Sequence, residues 1–290
     1  MKLVTFTEGG YSRIGGVTAE GIVDLSAQDS NLPTDMLTFL ERGKPAIELA
    51  RSICASGKGT LDLNNVILEA PIGRPPKILA IGLNYADHTE KSGFDLPENP
   101  IVFNKQSTSV TGPNGDIYLP PESEQLDYEG ELAIVIGQRC RRISRRQAID
   151  VIAGYTIVND VSLRDWQSRS ATITMGKSWD TCCPMGPYIV TSDEVGDPHC
   201  LSLKTWVNGQ LRQDSNTSKM IFNCYDIVEY LSTAFTLEPG DVIATGTPDG
   251  VILEMQSKVW LKSGDVVRIS IDQLGTIENR IINDPVNKTC

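Results

Sequence analysis

The chain has 290 residues, enough to bury a large core as one big domain or as a small one beside a large one. It is 40% hydrophobic and 22% charged, an ordinary globular composition that excludes a disordered or collagen-like chain. Twenty-six basic residues against 37 acidic ones give −11, which argues against nucleic acid or an anionic membrane as partner and requires local cations for any anionic substrate.

No run of eighteen apolar residues occurs, and MKLVTFTEGG lacks a signal-peptide core, so a cytoplasmic protein is predicted. Seven cysteines without a regular framework fit a reduced thiol set; Cys182 and Cys183 are adjacent rather than spaced as CxxC, which disfavours a zinc or redox site.

Residues 1–73 read as a small N-terminal α+β unit and 74–290 as the second, larger one. LVTF, YSRIGGV and GIVDL are short strands between Gly-rich turns. Asp35 opens a helix carrying Met36, Leu37, Phe39 and Leu40, and Pro45 starts another with Ile47, Leu49, Ala50 and Ile53. Arg74-Pro75-Pro76 is the predicted linker. The larger unit begins with the strand KILAIG (77–82), followed by LNYADH with His88, one of two histidines. Residues 89–99 are polar with Gly and Pro, a candidate mobile segment. Strands follow at 101–105 and 116–120.

The centre of the chain is Leu126–Asp160. Glu129 and Glu131 stand two apart at the start of an apolar run, so in a strand both carboxylates leave the same face. Asp160 closes a second apolar strand, Tyr155–Val158. Three acids beside core residues are costly unless neutralised, and a hard divalent cation with oxygen ligands does this most simply. A solvated strand face with Asp160 capping the next helix is the alternative reading.

Between these strands, Ser144 and Gln147 form a capping box ahead of a helix with Ala148, Ile149, Ile152 and Ala153 on its apolar side. After them, residues 201–213 read as a hairpin about Asn208-Gly209. Thr217 or Ser218 is the predicted cap of a helix carrying Met220, Ile221, Ile227, Val228 and Leu231. DVIATGTPDG is a strand ending in a Gly/Thr-rich loop, and DVVRISI and the residues after Gly275 are closing strands. His199, in DPHC, reads as a loop residue. Few helices among many strands predict an α+β, β-rich barrel or roll. No GxGxxG, P-loop or GxSxG is present.

GLNYADH, LDYEGELAIVIG, GYTIVNDVSLRDWQ, the GKS at 176–178, MIF and TGTPDGV, in this order, resemble the fumarylacetoacetate hydrolase family, nearest its acylpyruvase-like branch. The resemblance implies a mixed β-roll homodimer that binds Mg²⁺ or Mn²⁺ through Glu129, Glu131 and Asp160. It implies substrate contacts from Arg164, Gln167 and Lys177, a TGTP loop whose Thr247 meets the substrate's carboxylate end, and His88 as general base. The implied reaction is hydrolysis of a C–C bond in a small anionic 2,4-dioxo acid from aromatic or sugar-acid catabolism. Lys177 and the metal would stabilise the enolate, and His88 would activate water.

One position departs from the family. Hydrolytic members commonly place Glu three residues after the histidine; here that residue is Lys91, with Glu90 one earlier. On a helix Glu90 points away from His88, so a His88–Glu90 dyad needs a shifted backbone. Decarboxylation of oxaloacetate or enol–keto isomerisation, which need no hydrolytic water, is the alternative on the same scaffold; a non-catalytic metal-binding dimer is the third.

Overall fold

The two apolar runs at the centre of the sequence become the two central strands. Gly130–Ile136 is buried on both faces and pairs antiparallel with Ile152–Asn159, also buried throughout, with Gly130 opposite Asn159 and Glu131 opposite Val158. Burial on both faces explains why these strands read as continuous apolar runs rather than as alternation. The computed structural model describes residues 1–57, 60–86 and 96–285.

Val242–Ala244 pairs antiparallel with the Gly130 strand, Ile78–Gly82 runs parallel to Val242–Ala244, and Ile101–Lys105 forms that edge. On the other side Cys183–Thr191 pairs with Ile152–Asn159, and Lys2–Glu8 pairs with Cys183–Thr191 through Lys2 opposite Val190. Tyr11–Thr18, Gly21–Asp24 and Thr60–Leu61 continue the order. The strands of the predicted N-terminal unit therefore extend the sheet that carries the acids. A second sheet orders Gln210–Asn216, Ser202–Val207, Val266–Ile271, Gly275–Asn283 and Ile117–Leu119.

These elements form three layers. Leu132, Ile134 and Ile136 point into a core shared with Leu203, Ile269 and Ile277 of the second sheet and with Ile227 and Leu231 of the helix Cys224–Ala234. Ala133 and Val135, of opposite parity, face Phe39, Leu40 and Ala50 of the N-terminal helices. The strand-rich α+β class holds. The barrel alternative does not: both sheets keep free edges and stay open.

Local signals were read correctly where a side chain had only neighbours to satisfy. Asp35 caps Met36–Glu41 by accepting from Thr38 N at 2.8 Å, and Pro45 lies in the first turn of Lys44–Ala55. The Ser144–Gln147 box is present, but the helix it opens stops at Val151, and Ile152 and Ala153 enter the central strand. The predicted cap at Thr217 or Ser218 is corrected to Asn223. The Thr217 hydroxyl instead donates to Pro198 O at 2.7 Å, leaving Met220 and Ile221 extended ahead of the helix. Asn223 accepts from Tyr225 N and Asp226 N, while Asp226 accepts from Asn223 N at 3.1 Å. Asn223→Ala is expected to cost about 1 kcal/mol, a fall of about 2–4 °C in Tm by calorimetry.

His199 sits in the turn Pro198–Cys200, where its Nε2 accepts from Cys224 N at 3.2 Å. Burial pushes the Cys182 and Cys183 thiols up to about 12, so both remain protonated at neutral pH. Among the described residues no helix is long and apolar enough to cross a membrane.

Candidate metal centre

Register assembles the acids. Glu129 and Glu131 flank Gly130 on extended backbone, and the pairing of Gly130 with Asn159 brings the next residue, Asp160, alongside; Asp160 N donates to Glu129 O at 2.9 Å. One carboxylate oxygen from each of Glu129, Glu131 and Asp160 lies within 4.8 Å of the others, and all three residues are buried.

Cations are threaded between them. Lys177 Nζ lies 2.7 Å from Glu129 Oε2 and 2.9 Å from Asp160 Oδ2. Arg164 Nη2 lies 2.7 Å from Glu129 Oε1 and 2.8 Å from Asp127 Oδ2. Lys105, absent from the sequence prediction, lies 2.7 Å from Asp160 Oδ1 and also donates to Lys177 O. Burial pulls the Arg164 guanidinium down, but Asp127 and Glu129 outweigh it and hold the group above its ordinary value; Asp160 does the same for Lys105.

Among the described residues, four carboxylates thus face three cations. Among the described residues no cation is in direct contact with Glu131; its Oε2 accepts from Gly246 N at 2.8 Å. Desolvation, then the charges of Asp160 and Glu129, push its carboxyl well above the usual range, against the pull of Lys177 and the Gly246 N–H. Three clustered hard oxygens with one unneutralised negative charge fit a divalent cation.

Two glycines let the surrounding loops close in. Gly246 has φ +100, and a Cβ there would meet Asn84 Cβ at 2.8 Å and Ile81 O at 3.0 Å. A Cβ on Gly176 would lie 2.4 Å from the Gln167 backbone, so the short helices Arg164–Gln167 and Thr174–Lys177 pack back to back. Asn84 joins three motifs that sequence left separate: its Nδ2 donates to Thr245 O and Phe222 O, and its Oδ1 accepts from Phe222 N. Asp127, also missed, accepts from Ile252 N and Leu253 N while gripping Arg164, pinning the loop beyond TGTP. Burial of a polar side chain was the only available signal for Asn84, Lys105 and Asp127, and burial is not visible in a sequence.

A cavity of about 300 Å³ opens beside the carboxylates. Leu83, Phe103, Ile173 and Leu253 give it an apolar wall; Arg164, Gln167, Lys177 and Thr247 line the rest with Glu129 and Glu131. Arg164 Nη1 donates to Gln167 Oε1 at 2.9 Å, which turns the Gln167 amide so that its two hydrogens make no bond among the described residues. Lys177 spends two ammonium hydrogens on Glu129 and Asp160, and the third makes no hydrogen bond among the described residues. The structure therefore brings Glu129, Glu131, Asp160, Arg164, Gln167, Lys177 and Thr247 around one cavity. His88 and Glu90, with Lys91, lie outside the described residues, as do positions 89–95 of the predicted mobile segment. A larger cavity, about 560 Å³, lies between the Lys44–Ala55 helix and residues 150–153 and holds none of the predicted site residues.

The fumarylacetoacetate hydrolase C-terminal family model matches residues 77–282. The oxaloacetate tautomerase fahd2, mitochondrial, of Xenopus laevis is 43% identical over 288 residues, covering 97% of this chain and 90% of its own. Among solved structures, the fumarylacetoacetate hydrolase of Exiguobacterium antarcticum superposes with a TM-score of 0.84 at 36% identity, covering 98% of this chain and 99% of its own. The maleylpyruvate hydrolase of Sphingobium sp. SYK-6, solved with manganese(II) and pyruvate, gives 0.82 at 32% identity over 98% of this chain and 99% of its own. The chain belongs to the fumarylacetoacetate hydrolase family.

Proposed function

We propose that this chain is a divalent-metal-dependent enol–keto isomerase of an oxaloacetate-type 2-oxo acid, the reading that stood second to C–C hydrolysis in the sequence. The observation that carries it is the 43% identity, over nearly the full chain, to a protein named oxaloacetate tautomerase. In this reaction the proton on the C2 oxygen leaves and a proton is added at C3. No water is consumed and no carbon–carbon bond breaks, so the displaced glutamate beside His88 is no obstacle.

A divalent ion, Mg²⁺ or Mn²⁺, held by Glu129, Glu131 and Asp160 would supply fixed positive charge where the enolate oxygen develops. Lys177 adds an ammonium hydrogen to the same end of the cavity. Arg164 and the Gln167 amide hydrogens bind the anionic groups of the substrate, and the apolar wall of Phe103 and Leu253 limits water. Among the described residues, four carboxylates against three cations leave one negative charge, which the dication would turn into a positive one, matching an anionic 2-oxo acid.

The test dilutes enol-oxaloacetate into enzyme with Mg²⁺ or Mn²⁺ and follows enol absorbance, with pyruvate and CO₂ assayed in parallel. Faster loss of absorbance without either product is expected. Pyruvate release from acylpyruvates instead would establish the hydrolase, CO₂ the decarboxylase, and no turnover with retained metal binding the non-catalytic dimer. Lys177→Met is expected to lower kcat about 10²–10³-fold, as for the loss of one well-placed charge-stabilising donor. The homodimer is part of the proposal, tested by sedimentation at twice the chain mass.

A further inference from the structure

Asn84 is fully buried and outside the cavity lining. It follows the strand Ile78–Gly82, which runs parallel to Val242–Ala244 with Ala80 opposite Ala244. On the other side of Val242–Ala244, Ala133 of the acid-bearing strand faces Ala244. That ladder reaches one residue further, where Thr245 N donates to Leu132 O at 2.9 Å. At the next peptide, Thr245–Gly246, side chains take over from backbone on both sides. Asn84 Nδ2 donates to Thr245 O at 2.7 Å, and Gly246 N donates to Glu131 Oε2 at 2.8 Å.

The carbonyl and N–H of one peptide lie in one plane and point opposite ways, so whatever holds the Thr245 carbonyl also aims the Gly246 N–H. The orientation of Asn84 itself is set by Phe222. Phe222 N can only donate and meets Oδ1 at 2.8 Å; Phe222 O can only accept and meets Nδ2 at 2.9 Å. Turned over, the Thr245–Gly246 peptide would set its N–H against the Nδ2 donor and its carbonyl against the Glu131 carboxylate, and both contacts would be repulsive. Gly246 permits the close approach, because a Cβ there would meet Asn84 Cβ at 2.8 Å.

We propose that Asn84 is a positioning residue of the metal centre: by fixing the Thr245–Gly246 peptide it presents an N–H to Glu131 and holds that carboxylate in place as a ligand for a divalent ion. The same amide carries the constraint outward through Phe222 to Asn223, the cap of Cys224–Ala234. The proposal rests on the reading of Glu129, Glu131 and Asp160 as ion ligands, and its test is kept separate from turnover.

Asn84→Leu keeps the volume and removes the amide. Thr-Gly occurs twice in the sequence, at 111–112 and 245–246, so protein labelled with carbonyl-¹³C threonine and ¹⁵N glycine isolates two amide signals, Gly112 and Gly246. An N–H bonded to a carboxylate makes a strong bond and resonates at low field. In metal-free Asn84→Leu the Gly246 signal is expected to move upfield while that of Gly112 stays. Mn²⁺ affinity, titrated calorimetrically, is expected to fall about tenfold or more, as when a group that orients a metal ligand is lost. Should Asn84→Leu not fold, Asn84→Ala carries the same two measurements. A Gly246 signal that keeps its place, or a variant that loses only Tm and binds Mn²⁺ within about threefold of wild type, would overturn the proposal. Wild-type protein that takes up no Mn²⁺ would overturn the ion-ligand reading and this proposal with it, an outcome read before any variant is made.

Discussion

Glu131→Gln is expected to make the metal-free protein more stable and to abolish its stabilisation by Mg²⁺ or Mn²⁺. Among the described residues Glu131 is buried against Glu129 and Asp160 with no cation in direct contact, and its folded-state carboxyl is raised well above the ordinary value of 4.5. A group raised on folding holds its proton more tightly in the native state, so its contribution to stability is full below the unfolded pKa and is lost as pH rises through the folded one. The Tm gap between Glu131→Gln and wild type, both metal-free, should therefore widen as pH is raised from about 4.5. At neutral pH the variant is expected to melt above wild type. With saturating Mn²⁺ the order reverses, because only wild type gains the binding free energy. Calorimetric scans with and without metal read both signs; a variant that still binds Mn²⁺ with wild-type affinity would remove Glu131 from the centre.

Lys105→Met is expected to be the most damaging single change behind the site. Lys105 is buried, ion-paired to Asp160, and bonded to the backbone carbonyl of Lys177. Removing one partner of a buried pair leaves the other charge uncompensated, at about 3–5 kcal/mol, or roughly 10 °C in Tm. Metal binding at Asp160 should recover part of that loss, so the deficit shrinks with added Mn²⁺. A metal-free Lys105→Met protein melting within about 2 °C of wild type would show that Lys177 alone balances Asp160.

The parts legible in the sequence depend on near neighbours. The double-buried central strands announce themselves as unbroken apolar runs, and the Glu129–Glu131 spacing states that two carboxylates share a face before any partner strand is known. The caps at Asp35 and Ser144 needed only residues within a turn. The cap of Cys224–Ala234 was misplaced because Thr217 satisfies its hydroxyl against Pro198, nineteen residues away. Lys105 resembles any lysine at a strand end and carries no local pattern.

By itself, the sequence determined the strand-rich class, the three clustered acids and the family, since periodicity, spacing and motif order are properties of the chain as written. Tertiary structure alone decided that the sheets stay open, that Lys105 rather than solvent answers Asp160, and that the buried amide of Asn84 meets the Thr245 carbonyl. Those outcomes depend on which distant groups are desolvated together. Water satisfies a lysine or asparagine wherever it is exposed, and only its exclusion makes a particular partner obligatory.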